Sequence, residues 1–264
     1  MRTTVRAIRD LKGTRPIVLL SAYDAIWARL AEEAGADILL VGDSVGIEVL
    51  GYGSVIPVSL DMVLHHLQAV VRATQTAMVV ADMPLGDYGV NHDATINNAV
   101  RLIKEGGAGA VKMAGGAELA DAIATLSRIG IPVMGHIGVN SSHASLGLVG
   151  PVVGNTVAER TALCADAETL EQAGVFALIA KCVDPAVAQQ IAVEREIPVI
   201  SIGSGQTDGI GSNIVDVVGL ARRSPWFSLR QVPGDQWFGG ALHHFVSGVM
   251  DGTIMAKVWE DREA

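Results

Sequence analysis

The chain has 264 residues, of which half are hydrophobic, and it carries a formal net charge of −9. This length and apolar content suit one large α/β domain with a substantial core. The acidic balance, without any run of five or more basic residues, argues against a nucleic-acid partner, because phosphate binding needs a basic footprint.

Short apolar segments alternate with Ala-rich helical segments along most of the chain. The apolar segments lack polar alternation, which is typical of parallel strands buried on both faces. In chain order, the predicted strands are Ile17 to Ser21, Asp37 to Val41, Ala77 to Ala81, Ala110 to Met113, Pro132 to Gly135, Phe176 to Ala180 and Pro198 to Ile202. The predicted helices are Ala25 to Ala34, Leu60 to Ala73, Ala94 to Glu105, Ala117 to Ile129, Ala158 to Ala173 and Pro185 to Arg195.

This alternation predicts βαβ units and a single (β/α)8 TIM barrel. The eighth strand is placed at Ile214 to Val218. A doubly wound sheet is the alternative, but no Gly-x-Gly-x-x-Gly motif stands at a strand–helix turn. We therefore expect one domain over residues 1–264, with a C-terminal helical and aromatic segment from about residue 221.

Barrel enzymes carry their active sites at the C-terminal ends of the strands. Polar residues follow most of the predicted strands at that end. They are Tyr23, Asp24, Asp43, Ser44, Asp82, Lys112, His136, Lys181 and Ser204. Any one of them could cap a helix or satisfy the core, but the whole set lies where the fold places a site.

Two of these residues suggest a metal. Asp43 and Asp82 follow neighbouring strands, and two converging carboxylates suit Mg²⁺, which keeps water and accepts substrate oxygens. A 2-oxo acid chelated there would be activated toward its enolate. The competing interpretation makes each aspartate a helix N-cap.

Lys112 is predicted to pair with a substrate carboxylate or enolate, and His136 to donate a hydrogen bond or move a proton. The alternatives are a surface salt bridge for Lys112 and a core histidine for His136. The adjacent pairs His65-His66 and His243-His244 are predicted to be non-catalytic, because neighbouring helical residues do not share a face.

Several segments resemble ketopantoate hydroxymethyltransferases, of the phosphoenolpyruvate mutase/isocitrate lyase superfamily. The similarity runs from about residue 16 to about residue 220, with the Asp43-Ser44 and Asp82 contexts the most specific. The matching segments are Ser21 to Asp24, Leu40 to Gly46, Gly51 to Val58, Val80 to Pro84, Val111 to Gly116, Gly135 to Gly138 and Ile197 to Gly203.

The resemblance implies a metal-dependent, homo-oligomeric barrel that transfers a one-carbon unit from methylenetetrahydrofolate to a 2-oxo acid in pantothenate synthesis. It implies that Asp43 and Asp82 hold Mg²⁺, and that Ser44 and Lys112 hold the acid. It also implies an active-site role for His136.

The sequence departs from the family pattern at two charged positions. The pattern Lys-x-Glu-Gly-Gly has Ala114 in place of its glutamate, and Lys181 replaces a glutamate regarded as the general base. The loop Val139 to Ser142 also lacks the family's Leu-Thr-Pro-Gln, and the segment after Gly205 is a residue short. Losing two carboxylates and gaining an ammonium makes the site about three charges more positive, which weakens cation binding and strengthens anion binding.

Lys181 therefore has three interpretations. It replaces the metal's charge by pairing with Asp43 or Asp82, or it is a base or Schiff-base nucleophile, or it is inert in a degenerate site. The leading hypothesis is an enzyme that makes or breaks a C–C bond next to a 2-oxo acid. A metal-independent aldolase using Lys181 and a non-catalytic ligand-binding or subunit barrel are the alternatives.

The remaining expectations concern environment and assembly. No apolar run approaches the roughly 18 residues of a membrane-spanning helix, and no signal peptide is recognised. Cys164 and Cys182 lack metal-type spacing, so a reduced, cytoplasmic chain without a membrane partner is expected. Residues Trp226 to Trp259 hold most of the tryptophans, which suggests either a homo-oligomer interface or core packing of a last helix.

Overall fold

The computed structural model describes residues 2–221, 225–229, 231–251 and 253. Eight parallel strands pair in sequential order, and the first pairs with the eighth to close a barrel. The predicted (β/α)8 fold is confirmed. The strands are β1 (Ile17–Ser21), β2 (Ile38–Val41), β3 (Met78–Asp82), β4 (Ala110–Ala114), β5 (Val133–Gly138), β6 (Ala177–Lys181), β7 (Val199–Ile202) and β8 (Gly209–Asn213).

The described helices are α1 (Val5–Arg9), α2 (Ala25–Glu33), α3 (Val45–Glu48), α4 (Leu60–Ala73), α5 (His92–Lys104), α6 (Ala120–Arg128, preceded by a 3₁₀ turn, Ala117–Leu119), α7 (Ser141–Ser145), α8 (Val157–Ala173), α9 (Pro185–Glu194), α10 (Ile214–Val217) and α11 (Gly234–Met250). The six predicted helices are present as α2, α4, α5, α6, α8 and α9, with ends within about three residues of the prediction, and side chains cap most of the long helices. Asp24, Ser59 and Asn91 each accept a backbone N–H in the first turn of the helix that follows.

The core has two layers. One lies between the strands and the surrounding helices, and the other fills the barrel interior with residues such as Leu19, Ile38, Val80 and Ile200. Fully buried Ile8 of α1 joins the interior cluster and closes the N-terminal end of the barrel. The opposite end, where the strands stop, is therefore left to form a cavity.

The predicted position of the eighth strand is wrong. Ile214–Val217 forms the short helix α10, and the strand is the glycine-rich segment Gly209–Asn213. A Cβ at Gly209 would clash with the carbonyl oxygen of Ile17, and one at Gly211 would lie 2.8 Å from Ile202 Cγ1. Side chains of the neighbouring strands occupy the space that strand residues normally fill, so β8 lacks the apolar signature that strand prediction uses.

The aromatic C-terminal segment is only partly described. Trp226, Trp237, Phe238 and Phe245 each keep more than half of their surface exposed, so core packing of α11 does not bury them. Trp259 lies outside the described residues. Among the described helices, none has the length and apolar character needed to cross a membrane.

Candidate active site

The C-terminal ends of the strands surround a cavity of about 640 Å³. All six residues predicted to form the site line this cavity: Asp43, Ser44, Asp82, Lys112, His136 and Lys181. The strand ends therefore bring together side chains that are up to 138 positions apart in the chain, from Asp43 to Lys181.

Lys112 and Asp82 form a buried ion pair. They occupy paired positions on β4 and β3, and Lys112 Nζ lies 2.7 Å from Asp82 Oδ1, with 8% and 4% of the side chains exposed. Burial by itself lowers the pKa of Lys112, but the charges of Asp82 and Asp43 outweigh burial and raise it above its ordinary value. Lys112 is therefore a permanent cation. The alternative interpretation of a surface salt bridge is wrong, because the ion pair is buried.

Asp43 is the less compensated of the two carboxylates. Its backbone N–H donates to Asp82 Oδ2 at 3.3 Å, so the Asp82 carboxylate lies against the backbone of Asp43. Burial and the Asp82 charge raise the pKa of Asp43 to about 6, although Lys112 and Lys181 oppose this shift. A carboxylate in this position would be stabilised by one more cation.

The donor set fits a divalent cation that draws on substrate oxygens. The described residues contain no group of three or more His, Cys, Asp or Glu side chains suited to a metal. Mg²⁺, however, is commonly held by one or two carboxylates while water and substrate complete its octahedron. Asp43 and Asp82 supply those two carboxylates, and Ala114 contributes none.

His136 is buried in the cavity wall beside Ala114, its paired residue on β4. Neither ring nitrogen makes a well-formed hydrogen bond with a described residue, although the Val139 backbone lies close enough to raise its pKa slightly. Burial and the charges of Lys112 and Lys181 lower the pKa of His136 well below its ordinary value. The side chain is thus a neutral imidazole that faces the cavity with hydrogen-bonding capacity to spare.

Lys181 has a different environment from Lys112. Its Nζ donates to Ser141 Oγ at 2.6 Å, and no ion pair within 4.0 Å joins it to Asp43 or Asp82. Burial and the charge of Lys112 lower its pKa, while Asp43 offsets part of the effect. The interpretation in which Lys181 pairs directly with a site aspartate is therefore wrong, because its partner is a neutral hydroxyl.

Ser44 belongs to a hydrogen-bonded chain of side chains at the edge of the cavity. Its Oγ lies 2.7 Å from the hydroxyl of Tyr23, which is 1% exposed, and Asn213 Nδ2 donates to that hydroxyl at 2.7 Å. The backbone carbonyl of Tyr23 lies 2.7 Å from His66 Nδ1, so one histidine of the adjacent pair has a structural partner.

Several polar residues of the cavity were not anticipated as site residues, and four of them bear on its chemistry. They are Glu48, Ser141, Asn213 and Asp216. Burial and the charge of Asp216 raise the pKa of Glu48 to about 7. Asn213 would have joined the predicted series if β8 had been located correctly, because it is the last residue of that strand. Ser141 lies in the loop that departs from the family pattern, but its contact with Lys181 had no signal in the sequence.

Two of the polar residues predicted at the C-terminal ends of the strands have structural roles. Asp24 Oδ1 accepts the backbone N–H groups of Ile26 and Trp27 and so caps α2. Ser204 is fully buried, where its hydroxyl donates to the Ala180 carbonyl and accepts from the Val183 N–H. Neither of them lines the cavity.

Comparisons with known proteins agree with the resemblance in the sequence. The profile of the family described as "Ketopantoate hydroxymethyltransferase" matches residues 2–254. A protein of Carboxydothermus hydrogenoformans named 3-methyl-2-oxobutanoate hydroxymethyltransferase is 42% identical over 255 residues, covering 95% of this chain and 92% of the relative. A protein of Aeropyrum pernix with the same name is 40% identical over 256 residues, covering 96% and 92%.

Solved structures with lower sequence identity share the fold. Phosphonopyruvate hydrolase in complex with oxalate and Mg²⁺ superimposes with a TM-score of 0.64 at 13% identity, covering 98% of this chain and 93% of that chain.

Proposed function

Because the chain belongs to the ketopantoate hydroxymethyltransferase family, we propose that it makes or breaks a C–C bond next to the keto group of a small 2-oxo acid, through an enolate. The observation that carries this proposal is the single cavity in which an acidic pair, two amines and a neutral histidine meet. A compact anion that carries a second, polarisable oxygen suits this combination of charges.

The acid would be held by Ser44 and Lys112. Lys112 remains charged, and its ion pair with Asp82 holds the ammonium at the cavity wall. The Ser44 hydroxyl adds a short, uncharged contact for a carboxylate oxygen. A carboxylate bound there would share Lys112 with Asp82 without removing that aspartate's partner.

Asp43 and Asp82 would hold a divalent cation, Mg²⁺ by the chemistry of the donors. When bound, such an ion polarises the keto group as a Lewis acid. Phosphonopyruvate hydrolase, which shares the fold, was solved in complex with oxalate and Mg²⁺, which supports this choice. By family membership, methylenetetrahydrofolate would be the one-carbon donor.

Lys181 would act as the base, and His136 would hold the enolate oxygen. The C–H bond at C3 breaks, its proton moves to Nζ of Lys181, and the electron pair forms the C2–C3 double bond of the enolate. The lowered pKa of Lys181 increases the neutral amine needed for this step. Neutral His136 has an N–H to donate toward the developing oxygen charge.

Proton exchange at C3 tests the proposal. Purified protein with Mg²⁺ is incubated with 3-methyl-2-oxobutanoate in D₂O, and the loss of the C3–H signal is followed by NMR. Exchange above the protein-free control is expected, and Lys181→Met should abolish it. Absence of exchange, with and without metal, would contradict the enolate proposal, and binding without exchange would favour a non-catalytic barrel.

A second candidate function is a metal-independent aldolase or lyase in which Lys181 forms a Schiff base. The observation that favours it is the lowered pKa of Lys181 beside a hydroxyl rather than a carboxylate. The amine would add to C2 of the 2-oxo acid, and water would leave to form the imine. Borohydride then adds hydride and makes the adduct permanent, so intact mass should rise in the wild type and not in Lys181→Met. An unchanged wild-type mass across a panel of 2-oxo acids would remove this candidate.

We also propose a cytoplasmic homo-oligomer. The exposed aromatic residues Trp237, Phe238 and Phe245 of α11 support self-association, because single chains seldom expose adjacent large apolar side chains. The two free cysteines are consistent with a reducing compartment. Size-exclusion chromatography with light scattering tests the assembly, and a clean monomer would contradict it.

A further inference from the structure

The orientation of the Asn213 side chain is determined by the helix that follows it. Asn213 ends β8 and caps α10, where its Oδ1 accepts the backbone N–H of Val215 at 3.3 Å. The amide oxygen is thereby assigned to the helix, so the amide nitrogen faces the Tyr23 hydroxyl at 2.7 Å. Asn213 can only donate in this direction, because an amide NH₂ group has no acceptor capacity.

That donation determines which way the Tyr23 proton points. The Tyr23 hydroxyl accepts from Asn213, and its own single proton needs an acceptor because the side chain is buried. Ser44 Oγ, at 2.7 Å, is the other hydrogen-bond partner of this hydroxyl among the described residues. If Ser44 were the donor instead, the Tyr23 proton would be left between two donors.

Ser44 therefore accepts from Tyr23 and keeps its own proton free. Ser44 lines the cavity and is only partly buried, so that proton is available to a ligand. We infer that Tyr23 and Asn213 are positioning residues that commit the Ser44 hydroxyl to donate into the cavity and thereby select an anionic oxygen. This inference deepens the proposed function and rests on it, since it assigns the donor that would meet the carboxylate.

We call this chain, in which Asn213 donates to Tyr23 and Tyr23 donates to Ser44, the relay. Because its hydrogen bonds run in one direction, it affects which ligands the site prefers. A hydroxyl normally donates or accepts according to its partner, so it discriminates poorly between a carboxylate and an amide. A hydroxyl that accepts from Tyr23 presents its proton to the cavity, and this orientation favours carboxylate or enolate oxygens over the NH₂ group of an amide. The site should therefore prefer 3-methyl-2-oxobutanoate to its neutral amide by more than the charge of Lys112 alone provides.

A double-mutant cycle tests the relay. Binding of 3-methyl-2-oxobutanoate and of its amide is measured by calorimetry for wild type, Tyr23→Phe, Ser44→Ala and the double variant. Losing a hydrogen bond to a charged group corresponds to roughly tenfold or more in Kd. Ser44→Ala should weaken binding of the acid by about this factor. Tyr23→Phe should weaken it by a smaller but measurable factor, because Ser44 can still donate but is no longer held in that orientation, and the double variant should be no weaker than Ser44→Ala. The amide should be affected much less.

Asn213→Asp should reverse the direction of the hydrogen bonds in the relay while keeping a side chain of the same shape. A carboxylate at this position still caps α10, but it accepts the Tyr23 proton, so Ser44 must turn and donate to Tyr23. Binding of the acid should weaken in the wild-type background by more than in the Ser44→Ala background. The repulsion from the new charge acts in both backgrounds, so the difference between them isolates the relay.

The control variant is Tyr52→Phe, whose hydroxyl contacts Met62 Sδ at 3.9 Å and is not part of the cavity. It should leave Kd unchanged, and thermal melting checks the fold of every variant. Additive effects of Tyr23→Phe and Ser44→Ala, or wild-type binding by Tyr23→Phe, would overturn the relay alone. Wild-type binding by Ser44→Ala would instead overturn the role of Ser44 in the proposed function, and the relay with it. If Tyr23→Phe does not fold, the Asn213→Asp comparison decides.

Discussion

Two lysines at the same rim of the barrel have opposite surroundings. Lys112 ends up against the carboxylate of Asp82, and its pKa is raised. Lys181, two strands further around, meets the hydroxyl of Ser141, and its pKa is lowered. Both side chains are desolvated, so the difference lies in the charge of the nearest partner. The comparison separates a cation that holds a ligand from an amine that is available for proton transfer.

Methionine substitutions at the two lysines should give the largest difference, measured as the change in the free energy of unfolding. Lys112→Met leaves Asp82 buried without its partner, which should lower the free energy of unfolding by about 3–5 kcal/mol. Lys181→Met removes an amine that forms no ion pair with a described residue, so its cost should stay below about 1 kcal/mol. Urea denaturation of the two variants measures the difference. Equal losses would mean that the ion pair does not distinguish the two lysines.

The reactivity of Lys181 should depend on pH in a way that Lys112 does not share. A lowered pKa means that neutral amine appears below pH 10.5, the ordinary value, so modification by an amine-reactive ester should begin at lower pH for Lys181. Ser141→Ala removes an acceptor that stabilises the ammonium, and the profile should move to still lower pH. Peptide mass spectrometry across a pH series measures both. The control is Thr161→Ala, which removes an exposed hydroxyl of α8 that lies outside the cavity.

A profile for Lys181 that coincides with that of an exposed lysine such as Lys104 would contradict the lowered pKa. No shift in Ser141→Ala would show that the Ser141 contact does not influence protonation. Either result would leave the two lysines distinguished by geometry alone.

The charge of a neighbouring group should also influence the pKa of buried carboxyl groups, and this prediction has the smallest expected effect. Asp82 faces an amine, whereas Glu48 is partly buried near Asp216, and burial together with that charge raises the pKa of Glu48 to about 7. A carboxyl with a raised folded-state pKa stabilises the fold below its ordinary pKa of 4.5, and that contribution is lost as the pH rises through about 7. The melting temperature should therefore fall by a few degrees between pH 5 and pH 8, and Glu48→Gln should flatten this slope. A parallel slope in the variant would contradict the assignment.

The sequence was sufficient to place the six predicted site residues at one end of the barrel, because two rules apply to them together. A buried strand can be recognised from its own run of apolar residues, and a parallel barrel places the C-terminal ends of all its strands together. Asp43, Asp82 and Lys112 could thus be placed in one cavity without any knowledge of their distances. Asn213 was missed for a local reason, since the glycines of β8 conceal the strand that carries it.

The protein's fold, family and rim residues were determined by the sequence itself, through periodicity and motif order. Which partner each charged side chain meets was decided only by the tertiary structure. Strand register places Lys112 beside Asp82, but it places Lys181 between Gly138 and Ile202, which offer no charge. Register depends on how distant strands align, and a pKa follows from the neighbours that this alignment supplies, so neither can be read from a residue's own segment.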